Sequence, residues 1–157
     1  MQQKGNEFKA LQILHMAMLT GMALFAVVAV FLVTKGLIPA NKALEKPLQV
    51  VALLVSVGST AAGFALFNKR IKSIQPTDTV ASRITIYRAA AILRWALIEF
   101  PVLLSIISFI LTGNYAFLAL AIALILVFVV VRPAKPVIIF LLQLNEKEVS
   151  ELEGLSE

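Results

Sequence analysis

The sequence predicts an all-α integral membrane protein, a bundle of four transmembrane helices, and three observations carry that prediction. Of the 157 residues 60% are hydrophobic and 15% charged, where an ordinary soluble domain has about 45–50% and about 25%. Mean hydropathy is accordingly high, at +0.92. The charges are also segregated. Residues 47–68 and 100–131 carry none, and residues 10–34 hold a single titratable side chain, His15. Each run exceeds or matches the ~20 residues that cross a hydrocarbon core of about 30 Å. Finally, the basic residues fall on alternate loops, eleven on one side of the expected membrane and three on the other. By the positive-inside rule both termini are expected to face the cytoplasm; the small, simple architecture has a bacterial flavour, and a bacterial inner membrane is the expected location.

Helix 1 is expected over about residues 11–34, ended by Lys35, Gly36 and Pro39. Its apolar run is too long for the 7–15 residues of a signal-peptide core, and no A-x-A cleavage site follows, so it reads as a retained span. Lys42, Glu45 and Lys46 form a short polar loop before helix 2, over about 47–68. Pro47 suits its first turn, where the missing N–H has no partner to lose. Thr77, Asp78 or Thr79 can cap helix 3, over about 79–112. Its first part, with Arg83, Arg88 and Arg94 among apolar residues, is expected as a cytoplasmic extension. Gly113 and Asn114 make a tight turn into helix 4, over about 115–131, which suffices if Arg132 snorkels. The transmembrane domain therefore covers residues 1–136. Residues 137–157 form a cytoplasmic end with a short apolar piece and then a short C-terminal amphipathic helix, started by a capping box of Asn145 and Glu148. Beyond it lies an acidic tail, expected in solvent.

These features exclude a soluble enzyme, a disordered chain and a coiled coil. No cysteine is present, so disulfides, thiolate metal sites and cysteine nucleophiles are absent. One histidine builds no metal centre, and no cofactor is expected. The net charge of +5 reads as loop charge facing the cytoplasm rather than a nucleic-acid signal.

Glu99 is the most informative residue. It sits about five residues inside helix 3, and an acid at the centre of a span costs roughly 2.5–3.5 kcal/mol on insertion scales, so it is expected to face a partner. Pro101, two residues on, has no N–H and frees the Leu97 carbonyl. Carboxyl and freed carbonyl together could seat a proton or a small cation. The competing expectation is a structural ion pair with Arg94, Arg88 or His15. His15 itself enters the membrane at a similar depth; it is expected at headgroup level, with a contact to Glu99 as the alternative.

Helix 2 carries small residues on one face: Ala52, Ser56, Ser59 or Thr60, and Gly63. Such faces let helices approach closely in lipid, within one bundle or across an oligomer. Lys69, Arg70, Lys72, Arg83 and Arg88 are placed to retain topology or to meet anionic headgroups. The run Leu97-Ile98-Glu99-Phe100-Pro101-Val102-Leu103 resembles, over fewer than ten residues, the outer helix of rotary ATPase proteolipids. That family's glycine-rich inner helix has no counterpart, Gly21 being alone in helix 1, so no family is assigned. The functional expectation is a non-enzymatic membrane protein, homo-oligomeric or an accessory subunit of a larger complex, with membrane lipid around it. The alternative is a proton- or cation-coupled small transporter or channel subunit using Glu99.

Overall fold

A computed structural model describes residues 6–153. Six α-helices follow one another, with no strand among the described residues: α1 (Asn6–Thr34), α2 (Glu45–Lys72), α3 (Val80–Thr112), α4 (Tyr115–Val130), α5 (Lys135–Leu142) and α6 (Glu146–Glu153). The helices α1, α2 and α3 are each long and apolar enough to cross a membrane, and α4 with α5 makes a fourth span if the bent pair counts as one. Lys4 and residues 154–157, which entered the charge and tail arguments above, lie outside the described residues.

The order of packing follows from α3. Half of its apolar window is buried, against 11% for α1 and 22% for α2. The other three long helices lean on it, with α2 and α4 contributing most and α1 less. Side chains of α3 at Trp95, Ile98, Val102, Ile106 and Phe109 are wholly inside. The outer surfaces of α1, α2 and α4 expose Phe31, Leu54 and Leu126. In water such a surface would be an aggregation liability; in lipid it is the matched exterior.

Local signals set the boundaries. Thr79 is the N-cap of α3, its side chain accepting from the Ser82 N–H at 3.3 Å. Gly113 closes α3 in the left-handed region at φ +67°, and its N–H donates to the Phe109 carbonyl, an ending that glycine adopts without strain. Asn114 then caps α4 and donates through Nδ2 to Glu45 Oε1 at 2.7 Å. The Asn41 N–H donates to the Leu111 carbonyl at 2.8 Å, so the α1–α2 loop is tied to the α3–α4 turn.

The chain breaks after α4. Residues 131–134 turn it through 65° into α5, which carries Pro136 in its first turn. The apolar piece expected after Pro136 is thus a helix. Its residues Ile138 and Leu142 enter the common core, while Val137 and Phe140 stay exposed. The expected capping box is present at α6: the Glu148 N–H donates to Asn145 Oδ1 at 2.8 Å, and the Asn145 N–H donates to Glu148 Oε2 at 2.9 Å.

Candidate functional site

Polar side chains scattered through the sequence converge on the C-terminal end of α4. The last carbonyls of any helix lack an intrahelical partner, and an unsatisfied carbonyl in hydrocarbon costs several kcal/mol. Here α1 and α3 supply the donors. His15 Nε2 donates to the Phe128 carbonyl at 3.0 Å. Trp95 Nε1 and Arg94 Nη2 both donate to the Val131 carbonyl, at 3.3 and 3.4 Å. Gln12 Nε2 reaches the Pro133 carbonyl at 3.4 Å. A carbonyl only accepts, so Nε2 of His15 carries the hydrogen. The imidazole stacks on Phe128 with centroids 4.4 Å apart and meets the edge of Trp95 at 5.0 Å.

This arrangement bears on two expectations. His15 is enclosed by protein, only 2% exposed, and instead of pairing with Glu99 it caps another helix. The carbonyl expected beside Glu99 already has one partner. The Leu97 carbonyl freed by Pro101 accepts the Ser59 hydroxyl across the α2–α3 interface, so the proline and the serine form one interhelical device. One turn on, Gly63 sits where an added Cβ would lie 3.3 Å from Leu97 Cβ and 3.4 Å from the Arg94 carbonyl. The small face of α2 therefore packs within the bundle: Ala52, Ser56 and Gly63 are buried and Ser59 is half-buried.

Glu99 pairs with none of its expected partners. Arg94 and His15 are engaged at α4, and among the described residues Glu99 makes no hydrogen bond or ion pair with Arg88 or any other group. It is half-buried beside the uncovered stripe of α3, formed by Ile92, Ala96, Phe100, Ile107 and Leu111. Arg88, likewise half-buried, has a partner of its own.

The basic residues divide. Lys69, Arg70 and Lys72 are exposed in the last turn of α2, where cations complement the helix dipole. Arg83, expected with them at the headgroups, is instead 4% exposed. Its Nη1 donates to the Leu142 carbonyl at 2.9 Å and the Gln143 carbonyl at 3.3 Å, its Nε to the Asp78 carbonyl at 3.1 Å, and its Nη2 pairs with Glu148. One guanidinium thus caps α5, holds α6 and fixes the entry to α3. Little in the local sequence announces this clamp, because all its acceptors but the Asp78 carbonyl lie about sixty residues away. Its one legible sign was an acidic first turn of α6 within a basic chain. The carboxyl of Glu148 is held below the ordinary glutamate range, first by the Asn145 N–H and then by Arg83.

Among the described residues, two surface clefts bear on function. One, of about 370 Å³, is an apolar groove between α2 and α4, lined in part by Leu53, Val57, Leu120 and Leu124. Ser56 Oγ and Thr60 Oγ1 in its wall are buried without a hydrogen-bond partner. The other, of about 330 Å³, lies under the α4–α5 break between Phe67, Arg94 and Arg132. Glu99 lines neither. Among the described residues no three His, Asp or Glu side chains gather as a metal site would require. Compared with known proteins, the chain matches no family model, no curated protein and no solved structure.

Proposed function

We propose that the chain is a non-enzymatic multi-pass protein of a bacterial inner membrane, with both termini on the cytoplasmic side. On this reading it works through helix contacts in the bilayer, as a homo-oligomer or as an accessory subunit of a larger complex. The observation that carries the reading is Glu99: a carboxyl in the middle of α3, without a partner among the described residues, beside a stripe that no other described helix covers. Ionisable residues inside membranes characteristically face the bundle interior or a partner. A second copy offers one. Ser59 lies against Leu97 and Gly63 against Leu97 and Arg94, so Ser56 and Thr60 sit at about the depth of Glu99. Both residues line the α2–α4 groove, their hydroxyls buried behind its apolar wall and without a partner among the described residues, and chains sharing one bilayer meet at equal depth.

The ion-site alternative has less support. A transported ion needs a wet path; Glu99 lines neither of the two clefts described above, and the neighbouring Leu97 carbonyl already accepts from Ser59. The test is a photoreactive phenylalanine analogue in place of Phe100, irradiated in native membranes. The expected adduct joins two copies, with cross-links mapping to the α2–α4 groove, or joins the chain to one defined membrane subunit. Glu99→Gln lowers its yield. Adducts to lipid alone, together with proton flux through reconstituted vesicles that Glu99→Gln abolishes, would replace this reading with transport.

A further inference from the structure

The cleft under the α4–α5 break has a chemistry that the packing reading does not use. Arg94 lies half-buried in its wall with its guanidinium over the Phe67 ring at 3.8 Å. Phe67 is itself held edge-on by Tyr87 at 5.9 Å. A guanidinium stacked on a ring has its orientation set while its N–H edge remains available. Arg94 has five N–H donors, yet among the described residues its one hydrogen bond is the 3.4 Å contact to the Val131 carbonyl, which Trp95 already supplies. Its Nε is buried with no partner. No carboxylate answers this charge: among the described residues neither Arg94 nor the exposed Arg132 on the cleft rim takes part in an ion pair. A cation with unused donors in a cavity calls for an anion from outside the chain.

The remaining walls say what kind. Val130 and Val137 line the same cleft, and both are also exposed on the outer surface. An anion seated on Arg94 and Arg132 would therefore have an apolar path leading away from it along α4 and α5. We propose that this cleft binds the phosphate group of an acidic phospholipid, with Arg94 and Arg132 on the phosphate oxygens and the acyl region against Val130 and Val137. Phosphate is the shared chemistry; a free phosphate ion would meet the same guanidinium groups but make no use of the apolar path.

The experiment uses the full chain in detergent, stripped of lipid, with binding read by native mass spectrometry. The probes are phosphatidylglycerol, phosphatidylcholine and inorganic phosphate. Phosphatidylglycerol is expected to bind at least about fivefold more tightly than phosphatidylcholine, the factor that one basic contact near a membrane surface supplies. Arg132→Gln should weaken it about fivefold and Arg94→Gln about tenfold or more. The double variant Lys69→Gln/Arg70→Gln, outside the cleft, should leave it unchanged. If Arg94→Gln does not fold, Arg132→Gln on the exposed rim and Val137→Trp, which fills the cleft, carry the test. Equal binding of the two lipids, or equal losses from the Lys69/Arg70 and Arg132 variants, would overturn the proposal. Competition by inorganic phosphate at the affinity of the lipid would assign the site to a free anion and overturn the lipid.

Discussion

The Ser59–Leu97–Pro101 device makes a quantitative prediction. Ser59→Ala removes the donor to a carbonyl that Pro101 prevents its own helix from satisfying. Measured interhelical hydrogen bonds in membranes average about 0.6 kcal/mol and reach about 1.7. A buried acceptor left bare lies at the upper end or beyond, at about 1–3 kcal/mol, so Ser59→Ala should cost about 1–2 kcal/mol. In a Pro101→Ala background the new N–H of residue 101 takes the Leu97 carbonyl in the ordinary i→i−4 bond. The serine then becomes dispensable, and Ser59→Ala should cost less than about 0.5 kcal/mol. The coupling energy of the double-mutant cycle is therefore about 1 kcal/mol. Trp95, the only tryptophan and fully buried, reports unfolding by its fluorescence in mixed micelles of a mild detergent and dodecyl sulfate. An equal cost of Ser59→Ala in both backgrounds would show that the proline and serine act independently and refute the reasoning.

Two further outcomes follow from the Arg83 clamp. Arg83→Gln strands Glu148 and the Leu142 and Gln143 carbonyls and should cost about 3 kcal/mol, read as lost hydrogen-exchange protection across α5 and α6 with α1–α4 retained; unchanged protection there would disprove the clamp. The Glu148 carboxyl is held below its ordinary value of 4.5 in the folded chain. Its contribution is therefore fully present above that value and lost as pH falls through the lower folded value. Protection of α6 should fade on acidification below about pH 4.5, and Glu148→Gln should be weakly protected at every pH; a wild-type profile flat from pH 7 to 3 contradicts this.

The long helices were legible because charge-free stretches long enough to cross a bilayer read as helices; the caps at Thr79 and Asn145 and the turn at Gly113 and Asn114 were legible because capping and turn chemistry are local, whereas the role of Asn114 as the cap of α4 was not read. The extent of α5 was less so. Pro136 reads as a breaker when it follows Arg132 and Pro133, yet it stands in a first helical turn, where proline is tolerated. The site was misread for a related reason. His15, Arg94 and Arg83 looked like partners for an acid or for headgroups, since sequence displays charges but not bare carbonyls. Their acceptors are backbone groups at the ends of α4 and α5, created by a chain break whose direction depends on packing against α3. Glu99 stands out in the sequence as an acid within an apolar run, but the Ser59 partner of the nearby Leu97 carbonyl does not, because Ser59 answers a vacancy that only the interhelical register reveals.

The brevity of α4 reaches beyond the protein itself. Sixteen residues rise about 24 Å, roughly 6 Å less than a typical hydrocarbon core, whereas α1 with 29 residues has length to spare. Where α4 crosses without α5, a bilayer would have to thin on the α4 side and not on the α1 side, at a fraction of a kcal/mol per ångström. Such one-sided deformation is relieved when two short faces meet. If copies associate as proposed, acyl-chain length should tune that association: longer lipids would drive copies together through α4, and shorter ones would let them part.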